Sequence, residues 1–368
     1  MDYMERALTL ARMAVGSTSP NPAVGAVIVK DGVVVGEGYT QPPGSAHAEA
    51  AALKQAGDKS RGATMYVTLE PCCFYGRTPP CTKAIIDSGI SMVHIAALDP
   101  NPKVSNKGRA ELESAGISVF AGEREEEAQE INEAYFKFIT TGLPFITAKF
   151  AISLDGKIAT WTGDSHWISC EESRRYVHRM RRTSDAIMVG VNTIIIDDPR
   201  LTVRDGQGEK YPLRIIVDSK GRVLPTARVF SEPGNVMVAV TQDAPTEVVK
   251  ELKNTGAEVF VTPSWKSMVD LNELLAELGR RNITSVLVEG GSSLLGSMFD
   301  GCLVDKVVAF IAPVIVGGED AKSAVGGQGA HRIGQALQLS RIKVERCGKD
   351  VMVMGYLNEE AETEGFSV

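Results

Sequence analysis

The order of apolar and polar residues in the first part of the chain predicts alternating helices and strands. Apolar residues recur at helical spacing over residues 2–15, and "AVGAVIVKDGVVVGEGY" places two apolar runs around Asp31-Gly32, the pattern of a β-hairpin. Similar patterns predict helices at "HAEAAALKQAG", 78–88 and 107–115, and strands at "ATMYVTLEP", "MVHIAAL" and "ISVFAG". A single solvated connecting helix is expected at "EREEEAQEINEAYFKFI". This order indicates an α/β domain built around one sheet.

A second series of strands and helices begins after "TTGLPF". The predicted strands are "FITAKFAIS", "AIMVGV", "LRIIVDS", "NVMVAVT", "AEVFV", "SVLVEGG" and "VDKVVAFIAPVIVGG", and the predicted helices cover 170–182, 246–255 and 268–281. A chain of 368 residues with 43% hydrophobic content is long enough for two domains. We therefore expect an α/β protein with domains at 1–143 and 144–360, followed by a polar tail at 361–368.

Charge and cysteine content narrow the class of protein. The formal net charge of −7 argues against a nucleic-acid-binding protein, which normally presents a basic surface. The sequence lacks the roughly 18-residue apolar run of a membrane span, and its acidic N-terminal stretch is unlike a signal peptide. A cytoplasmic location is therefore expected, where clustered cysteines favour metal binding or catalysis over disulfides. The scattered Cys170, Cys302 and Cys347 are expected to be packing residues.

The main chemical motif is a histidine and a glutamate two positions apart, followed by clustered cysteines. His47 and Glu49 open one predicted helix, Cys72 follows a predicted strand, and Cys81 lies near the start of another predicted helix. This is the constellation of zinc deaminases, in which one histidine and two cysteines leave the fourth position of a tetrahedral zinc to water. Zinc lowers the pKa of that water, and Glu49 would take up its proton and pass it to the departing amine.

Two other interpretations of these residues stay open. A single histidine in a soluble protein is usually a core residue, and the spacing His-x-Glu often occurs by chance. A closed structural zinc site would use Cys73 as a fourth ligand beside Cys72. Adjacent side chains of an extended segment point to opposite sides, so we expect Cys73 to be a packing residue if Cys72 binds metal.

In combination, the motifs resemble a known family. "NPAVGAVIV", "HAE", "VTLEPC", "YGRTPPC" and "ALDPNP" resemble the deaminase half of the bifunctional riboflavin-biosynthesis deaminase/reductases, and "KFAISLDGKIAT", "TGDSHWIS", "DDPRLTVR" and "VEGG" resemble the reductase half. The resemblance implies a cytidine-deaminase-like three-layer domain followed by a dihydrofolate-reductase-like domain. It further implies Zn²⁺ in the first domain and NADPH in the second, and we expect a homo-oligomer.

The same resemblance implies a small-molecule substrate. This is 2,5-diamino-6-(5-phosphoribosylamino)pyrimidin-4-one, which would lose its 2-amino group before its ribosyl side chain is reduced to ribityl. Substrate contacts in the deaminase are expected from Asn21, Asp99 and Asn101, although simple turn chemistry would also explain both asparagines. The chain departs from the family pattern at three positions. Thr40 and Phe74 stand where histidines are usual, and Asn106 stands where a glycine is usual.

The reductase half has its own candidate residues. Arg174, His178 and Arg181 recur at helical spacing, which indicates either a solvated charged face or a phosphate-binding face. The resemblance implies substrate contacts from Ser165, Arg181, Leu201, Arg204 and Glu289. It implies cofactor contacts from Ala151, Trp167, Thr193, Asp197, Ser219, Gly291, Ser292, Ser293, Leu294, Leu295, Gly296 and Ser297. The glycines of "VEGGSSLLGSMF" suit a pyrophosphate at a helix N-terminus, although a Gly-Gly turn alone is a weak motif.

Two alternative classes of function are compatible with parts of the sequence. The first is a zinc deaminase of a related aminopyrimidine, a nucleoside or a tRNA, with a reductase-like or unrelated second domain. The second is a non-catalytic scaffold or sensor with a closed zinc site, which the presence of Glu49 disfavours. The sequence alone identifies no proton donor for the reduction.

Overall fold

The computed structural model of the chain describes residues 2–76, 78–206, 208–265 and 267–357. The described residues divide into two compact units, one within Met1–Pro144 and Gly279–Thr284 and the other within Phe145–Leu278 and Ser285–Val368. The polar tail predicted at 361–368 lies outside the described residues. Within the described ranges, no helix combines the length and the apolar character needed to cross a bilayer.

Among the residues described in the first unit, a five-stranded sheet has the order β2-β1-β3-β4-β5. The first three strands in this order pair antiparallel and the last three pair parallel. The predicted hairpin is confirmed, because Asp31 and Gly32 adopt φ angles of 50° and 77° at its turn. The strands are β1 Gly25–Lys30, β2 Val33–Tyr39, β3 Thr64–Leu69, β4 Met92–Ala97 and β5 Ser118–Ala121.

Helices cover both faces of this sheet. They are α1 Tyr3–Ala14, α2 Ala48–Ala56, α3 Cys81–Ser88, α4 Lys107–Ser114, α5 Glu125–Ile131 and α6 Glu133–Thr141. Two glycines on opposite faces show how closely the layers approach. A β-carbon on Gly25 would lie 1.9 Å from the Ala7 carbonyl oxygen of α1, and one on Gly38 would lie 2.4 Å from the Ala48 carbonyl oxygen of α2. The described part of this unit is therefore a three-layer sandwich, as predicted.

The acidic segment before the second unit corrects one prediction. Instead of a single solvated helix, α5 and α6 are separate, and Asn132 lies between them. Asn132 is buried, and its side-chain amide pairs with both backbone groups of Ala23 at 2.8 and 2.9 Å. Ala128 and Tyr135 are buried in the same core, so one side of this segment is packed. The helix breaks because a distant backbone segment requires the Asn132 amide.

The described part of the second unit contains a nine-stranded sheet of order β10-β9-β8-β7-β13-β6-β14-β16-β15, beside the two-stranded pair β11-β12. The strands from β10 to β14 in this order pair parallel, whereas β16 and β15 pair antiparallel. The strands are β6 Phe145–Ser153, β7 Ala186–Gly190, β8 Leu213–Val217, β9 Val236–Thr241, β10 Glu258–Thr262, β11 Ser264–Trp265, β12 Met268–Val269, β13 Ser285–Val288, β14 Lys306–Ala312, β15 Ser340–Cys347 and β16 Asp350–Tyr356.

The helices of the second unit connect the parallel strands. They are α7 Glu171–Thr183, α8 Val191–Asp197, α9 Arg228–Ser231, α10 Thr246–Asn254, α11 Leu271–Arg280 and α12 Ser292–Asp300. The α/β class predicted for both halves is confirmed. The hairpin of β15 and β16 was not predicted, because Ile342 and Val344 of β15 are exposed and alternate with charged residues instead of marking a buried face. Ligand sites in such sheets lie at the carboxyl ends of the parallel strands.

Candidate functional site

The predicted metal ligands of the first unit converge on one point. His47 immediately precedes α2, Cys72 follows β3, and Cys81 is the first residue of α3. The His47 Nδ1 atom lies 3.6 Å from the Cys72 Sγ atom and 3.3 Å from the Cys81 Sγ atom. The ligand atoms of these residues all lie within 4.8 Å of one another, and no other such cluster occurs among the described residues.

The geometry and the donor set fit zinc. Bond lengths of about 2.3 Å to sulfur and 2.1 Å to nitrogen place the ligands of a tetrahedral zinc about 3.6–3.8 Å apart. The observed separations from His47 to the cysteines are close to that spacing. The other ring nitrogen of His47, Nε2, lies 3.2 Å from the Thr78 hydroxyl, a contact that orients the imidazole. Thr78 was not identified from the sequence, because a hydroxyl beyond the ligands has no spacing rule.

The cluster is electrostatically coupled. The Cys81 thiol donates a hydrogen bond to the Cys72 sulfur, which, with the His47 contact, lowers the pKa of Cys72 to about 4. The same pairing with Cys72 raises the pKa of Cys81, and the hydrogen bond to Cys72 raises the pKa of His47. Glu49 is buried on α2, where desolvation raises its pKa to about 7. The site therefore combines a thiolate ligand with a carboxyl group that exchanges protons near neutral pH.

The cysteine beside the cluster has a different environment. The Cys73 thiol donates to the Lys103 backbone carbonyl at 3.6 Å, and burial raises the pKa of Cys73. Cys73 is not part of the metal-binding cluster found among the described residues. With Cys73 directed to a neighbouring loop, His47, Cys72 and Cys81 leave a coordination position open, as a catalytic zinc site requires.

The predicted deaminase substrate residues differ in their surroundings. Asp99 is buried and accepts hydrogen bonds from the Asn101 backbone N–H at 2.9 Å and the Tyr135 hydroxyl at 3.0 Å. The Asn101 side chain in turn accepts from the Lys103 backbone N–H. These bonds make Asp99 an internal brace of the loop after β4. The structure places Asn21 in a turn, where its backbone N–H donates to the Thr18 carbonyl.

The structure also shows the surroundings of the three positions that depart from the family pattern. Thr40 is buried and its hydroxyl accepts from the Val24 backbone N–H at 3.0 Å, so it braces the end of the hairpin. The Lys103 ammonium lies 5.9 Å from the centre of the Phe74 ring. Asn106 has a φ angle of 60°, a conformation that asparagine tolerates better than most residues other than glycine. Asn106, in place of the glycine usual in the family, therefore preserves the local backbone conformation.

The second unit contains a cavity of about 1100 Å³ at the carboxyl ends of its parallel strands. Residues at the ends of β6, β7, β8 and β13 contribute to its wall. Most of the predicted substrate and cofactor residues line this one cavity, namely Ala151, Ser165, Trp167, Arg181, Thr193, Asp197, Leu201, Arg204, Ser219, Glu289, Gly291, Ser292, Ser293, Leu294, Leu295 and Ser297.

Gly296 is a different case among these residues. It does not line the cavity as formed by the described residues, and a β-carbon on Gly296 would lie 2.3 Å from the Gly326 carbonyl carbon. The absence of a side chain there allows α12 to pack closely against residues 326–327. Within the cavity wall, the Ser165 hydroxyl donates to Asp197 at 2.9 Å, which brings a predicted substrate residue and a predicted cofactor residue into contact.

The basic face of α7 is only partly exposed. The Arg181 guanidinium forms a bidentate pair with Glu289, with a Nη2–Oε2 distance of 2.8 Å, and donates from Nη1 to the Thr202 carbonyl at 2.9 Å. His178 accepts from the Arg204 backbone N–H at 3.1 Å, and burial lowers its pKa. Arg174 stacks over the Trp167 ring at 4.6 Å. This face therefore belongs to the cavity wall, which argues against the fully solvated alternative.

Lys149 is a cavity residue that sequence reasoning missed. It is on β6, and desolvation lowers its pKa although the nearby Glu289 charge opposes that shift. The Arg181 charge acts in the same direction as desolvation. A lone lysine inside the apolar strand "FITAKFAIS" is the sequence feature that could have identified it, since charged residues are rarely placed in buried strands without a partner or a function.

Comparison with known proteins gives consistent results along the chain. Residues 1–97 match the family model of the cytidine and deoxycytidylate deaminase zinc-binding region, and residues 144–353 match that of the RibD C-terminal domain. The riboflavin biosynthesis protein RibD of Aquifex aeolicus is 46% identical over 352 residues, covering 96% of this chain and 97% of the relative. The RibD of Escherichia coli is 40% identical over 361 residues, covering 95% and 97%.

Solved structures show the same similarity in three dimensions. Acinetobacter baumannii RibD superposes with a TM-score of 0.85 at 35% identity, covering 97% of this chain and 98% of that chain. The diaminohydroxyphosphoribosylaminopyrimidine deaminase/5-amino-6-(5-phosphoribosylamino)uracil reductase of Thermotoga maritima superposes with a TM-score of 0.85 at 36% identity, covering 96% and 97%.

Together, the zinc-binding deaminase domain and the reductase domain define a bifunctional deaminase/reductase. The predicted fold class, with a cytidine-deaminase-like domain preceding the reductase domain, is confirmed. The chain belongs to the RibD family of riboflavin biosynthesis enzymes, which confirms the family inferred from its motifs.

Proposed function

We propose that the first domain, residues 1–143, removes the 2-amino group of 2,5-diamino-6-(5-phosphoribosylamino)pyrimidin-4-one. The observation that carries this proposal is the convergence of His47, Cys72 and Cys81 beside the buried Glu49. The activity named for the Thermotoga maritima neighbour supports the choice of a phosphoribosylaminopyrimidine. A zinc ion held by these ligands would supply a water of lowered pKa as the nucleophile.

Glu49 is proposed to move the protons of this reaction. Its carboxyl group is buried and its pKa is raised to about 7 by desolvation, so it can accept a proton and return it near neutral pH. Its place on the first turn of α2 keeps it two residues from His47. Glu49 would take the proton of the attacking water and deliver it to the leaving amine, so that ammonia departs uncharged.

We propose that the second domain, residues 144–360, reduces the ribosyl side chain with NADPH. Bound NADPH would supply the hydride. The cofactor would lie along the carboxyl ends of the parallel strands, where Gly291 precedes α12 and the helix N-terminus favours the pyrophosphate. Neighbouring strands are about 4.8 Å apart, so the order β8-β7-β13-β6 spans about 14 Å from Ser219 to Ala151, a length suited to an extended dinucleotide.

Different residues of the cavity wall suit different parts of the ligands. At the β8 end, Arg222 lines the wall with a side chain that is 52% exposed, and its nearest carboxylate oxygen, of Asp218, is 3.8 Å away. This arginine is proposed to bind the 2′-phosphate that distinguishes NADPH from NADH. Ser165, Arg204 and Glu289, which line the same cavity, are proposed to hold the substrate.

The test is to load the purified protein with zinc and supply the proposed substrate with NADPH. Stoichiometric ammonia release followed by NADPH oxidation is expected. If only a related aminopyrimidine or a nucleoside released ammonia, such a compound would be the substrate of the first domain. The engaged hydroxyl of Thr40 and the presence of Phe74 favour this alternative. Absence of NADPH oxidation on the deaminated compound would overturn the reductase assignment.

We also propose a cytoplasmic location, where the thiols of the scattered cysteines stay reduced.

A further inference from the structure

Glu70 is a buried carboxylate between β3 and the metal ligand Cys72. Its side chain accepts hydrogen bonds from the backbone N–H groups of Asp99 at 3.3 Å, Asn106 at 3.1 Å and Arg109 at 3.0 Å. Backbone donors to an ionised carboxylate form strong, charge-assisted bonds. Glu70 thus holds both ends of the segment 99–109, which joins β4 to α4.

The contact with Asn106 and Arg109 makes Glu70 a cap for α4. Asn106 is the N-cap residue, but its own side chain makes no capping hydrogen bond. The Glu70 carboxylate instead accepts from the N-cap residue and from the third residue of the helix, and its negative charge lies at the positive end of the helix dipole. A residue 36 positions earlier in the chain therefore fixes where α4 begins.

A second observation ties the same segment to the metal-binding loop. A β-carbon on Gly108 would lie 2.2 Å from the Pro71 carbonyl oxygen, so α4 approaches the backbone between Glu70 and Cys72 as closely as glycine permits. On the side of β4, the Glu70 backbone N–H donates to the Ala97 carbonyl at 3.0 Å. The segment 99–109 is thereby placed against the loop that supplies Cys72.

We propose that Glu70 is a positioning residue of the deaminase, which holds the segment 99–109 in place beside Cys72 before substrate binds. This segment contains Asp99 and Asn101, the substrate contacts that the family resemblance implies, and the inference rests on the proposed deaminase function. Glu70 bonds to backbone N–H groups and not to the reacting atoms, so its effect is on substrate affinity and not on the chemical step. Loss of its bonds would let the segment move and leave the metal ligands in place.

The main variant is Glu70→Gln. One amide oxygen can still accept from Asp99 and Asn106, but the NH2 group would face the donating N–H of Arg109. We expect the KM of deamination to rise about tenfold, the effect of losing about 1.4 kcal/mol of binding energy. The kcat should change by less than about threefold. Bound zinc and NADPH oxidation on deaminated substrate should stay at the wild-type level.

Hydrogen exchange gives a readout that does not need activity. The amide protons of Asn106 and Arg109 should exchange faster in Glu70→Gln, because they lose their acceptor or its charge. Glu111→Gln is the matched control, since Glu111 lies on the same helix but is exposed. It should leave the KM and the exchange of both amides unchanged.

Two further variants complete the test. Glu70→Asp keeps the charge on a shorter side chain and should recover part of the wild-type KM. Gly108→Ala should also raise the KM, because its β-carbon would crowd the Pro71 carbonyl oxygen and the Glu70 side chain, and it substitutes for Glu70→Gln if that variant does not fold. An unchanged KM in the folded variants, or a loss of zinc from Glu70→Gln, would overturn the inference. A wild-type protein without deaminase activity would instead refute the proposed function, and unaltered amide exchange would then still refute the capping role.

Discussion

Arg181 and Glu289 form a bidentate ion pair in the wall of the second unit's cavity, with side chains only 12% and 7% exposed. This pair leaves fewer candidate phosphate ligands on α7, because the Arg181 guanidinium already binds a carboxylate and the Thr202 carbonyl. Arg181 and Glu289 act together, so removing either leaves the other as a buried charge without its counter-ion.

Arg181→Ala is expected to abolish NADPH oxidation and to destabilise the second unit by about 3–5 kcal/mol, the usual result of breaking a buried pair. Denaturant unfolding and steady-state reduction of deaminated substrate would measure these effects. Arg175→Ala is the control, because Arg175 is on the same helix with a side chain that is 62% exposed. Wild-type stability and activity in Arg181→Ala would contradict the coupled role of the pair.

Glu49→Gln is expected to reduce ammonia release by about 10²–10⁴-fold, since a positioned general acid/base contributes about that factor. The glutamine has nearly the same shape, so the zinc content should not change. Ammonia assays, metal analysis and NADPH oxidation on pre-deaminated substrate would be compared in one preparation. An equal loss of both activities would argue against two independent sites.

The cysteines provide a matched test of the metal site. Cys72→Ser and Cys81→Ser should each lose stoichiometric zinc, because each removes one sulfur ligand from the cluster. Cys73→Ser should retain it, because the Cys73 thiol contacts the Lys103 carbonyl instead. Metal content after dialysis against a weak chelator gives the answer, and zinc loss from Cys73→Ser would support a closed site.

Cofactor choice tests the role of Arg222. Arg222→Ala should raise the KM for NADPH by about tenfold or more, the loss of about 1.4 kcal/mol, and leave the KM for NADH unchanged, since only NADPH carries the 2′-phosphate. Arg200 lines the same cavity but its Nε atom pairs with Glu232 at 3.2 Å, so Arg200→Ala serves as the control. Parallel weakening of both cofactors in Arg222→Ala would refute the assignment.

Asp99 should make the stability of the first unit depend on pH. Burial raises its pKa from 3.8 to about 6 in the folded protein. The folded state then binds the proton more tightly than the unfolded state. The resulting contribution of Asp99 to the free energy of unfolding is fully present below pH 3.8 and is lost as pH rises through 6. The loss is about 2–3 kcal/mol at 1.36 kcal/mol per pKa unit. Asp99→Asn should flatten the unfolding free energy between these pH values, and an unchanged slope would refute this.

Elements with local signals were predictable from the sequence. The helix α1 and the hairpin around Asp31-Gly32 depend on residue periodicity and on turn chemistry within a few positions. The break at Asn132 depends on Ala23, 109 positions away, and nothing in the acidic segment itself indicates it. Most of the predicted substrate and cofactor residues of the second unit line one cavity, because the carboxyl ends of parallel strands lie at one edge of the sheet.

The sequence by itself determined the donor types and spacing of His47, Cys72 and Cys81, and the order of motifs that defines the family. Tertiary structure decided which of the remaining polar groups are available to bind a ligand and which are engaged within the protein. It engages the Thr40 hydroxyl with the backbone and places the Glu70 carboxylate at the N-terminus of α4. The physical reason is that a buried polar group must find a partner, and for these groups that partner belongs to a different element of the fold.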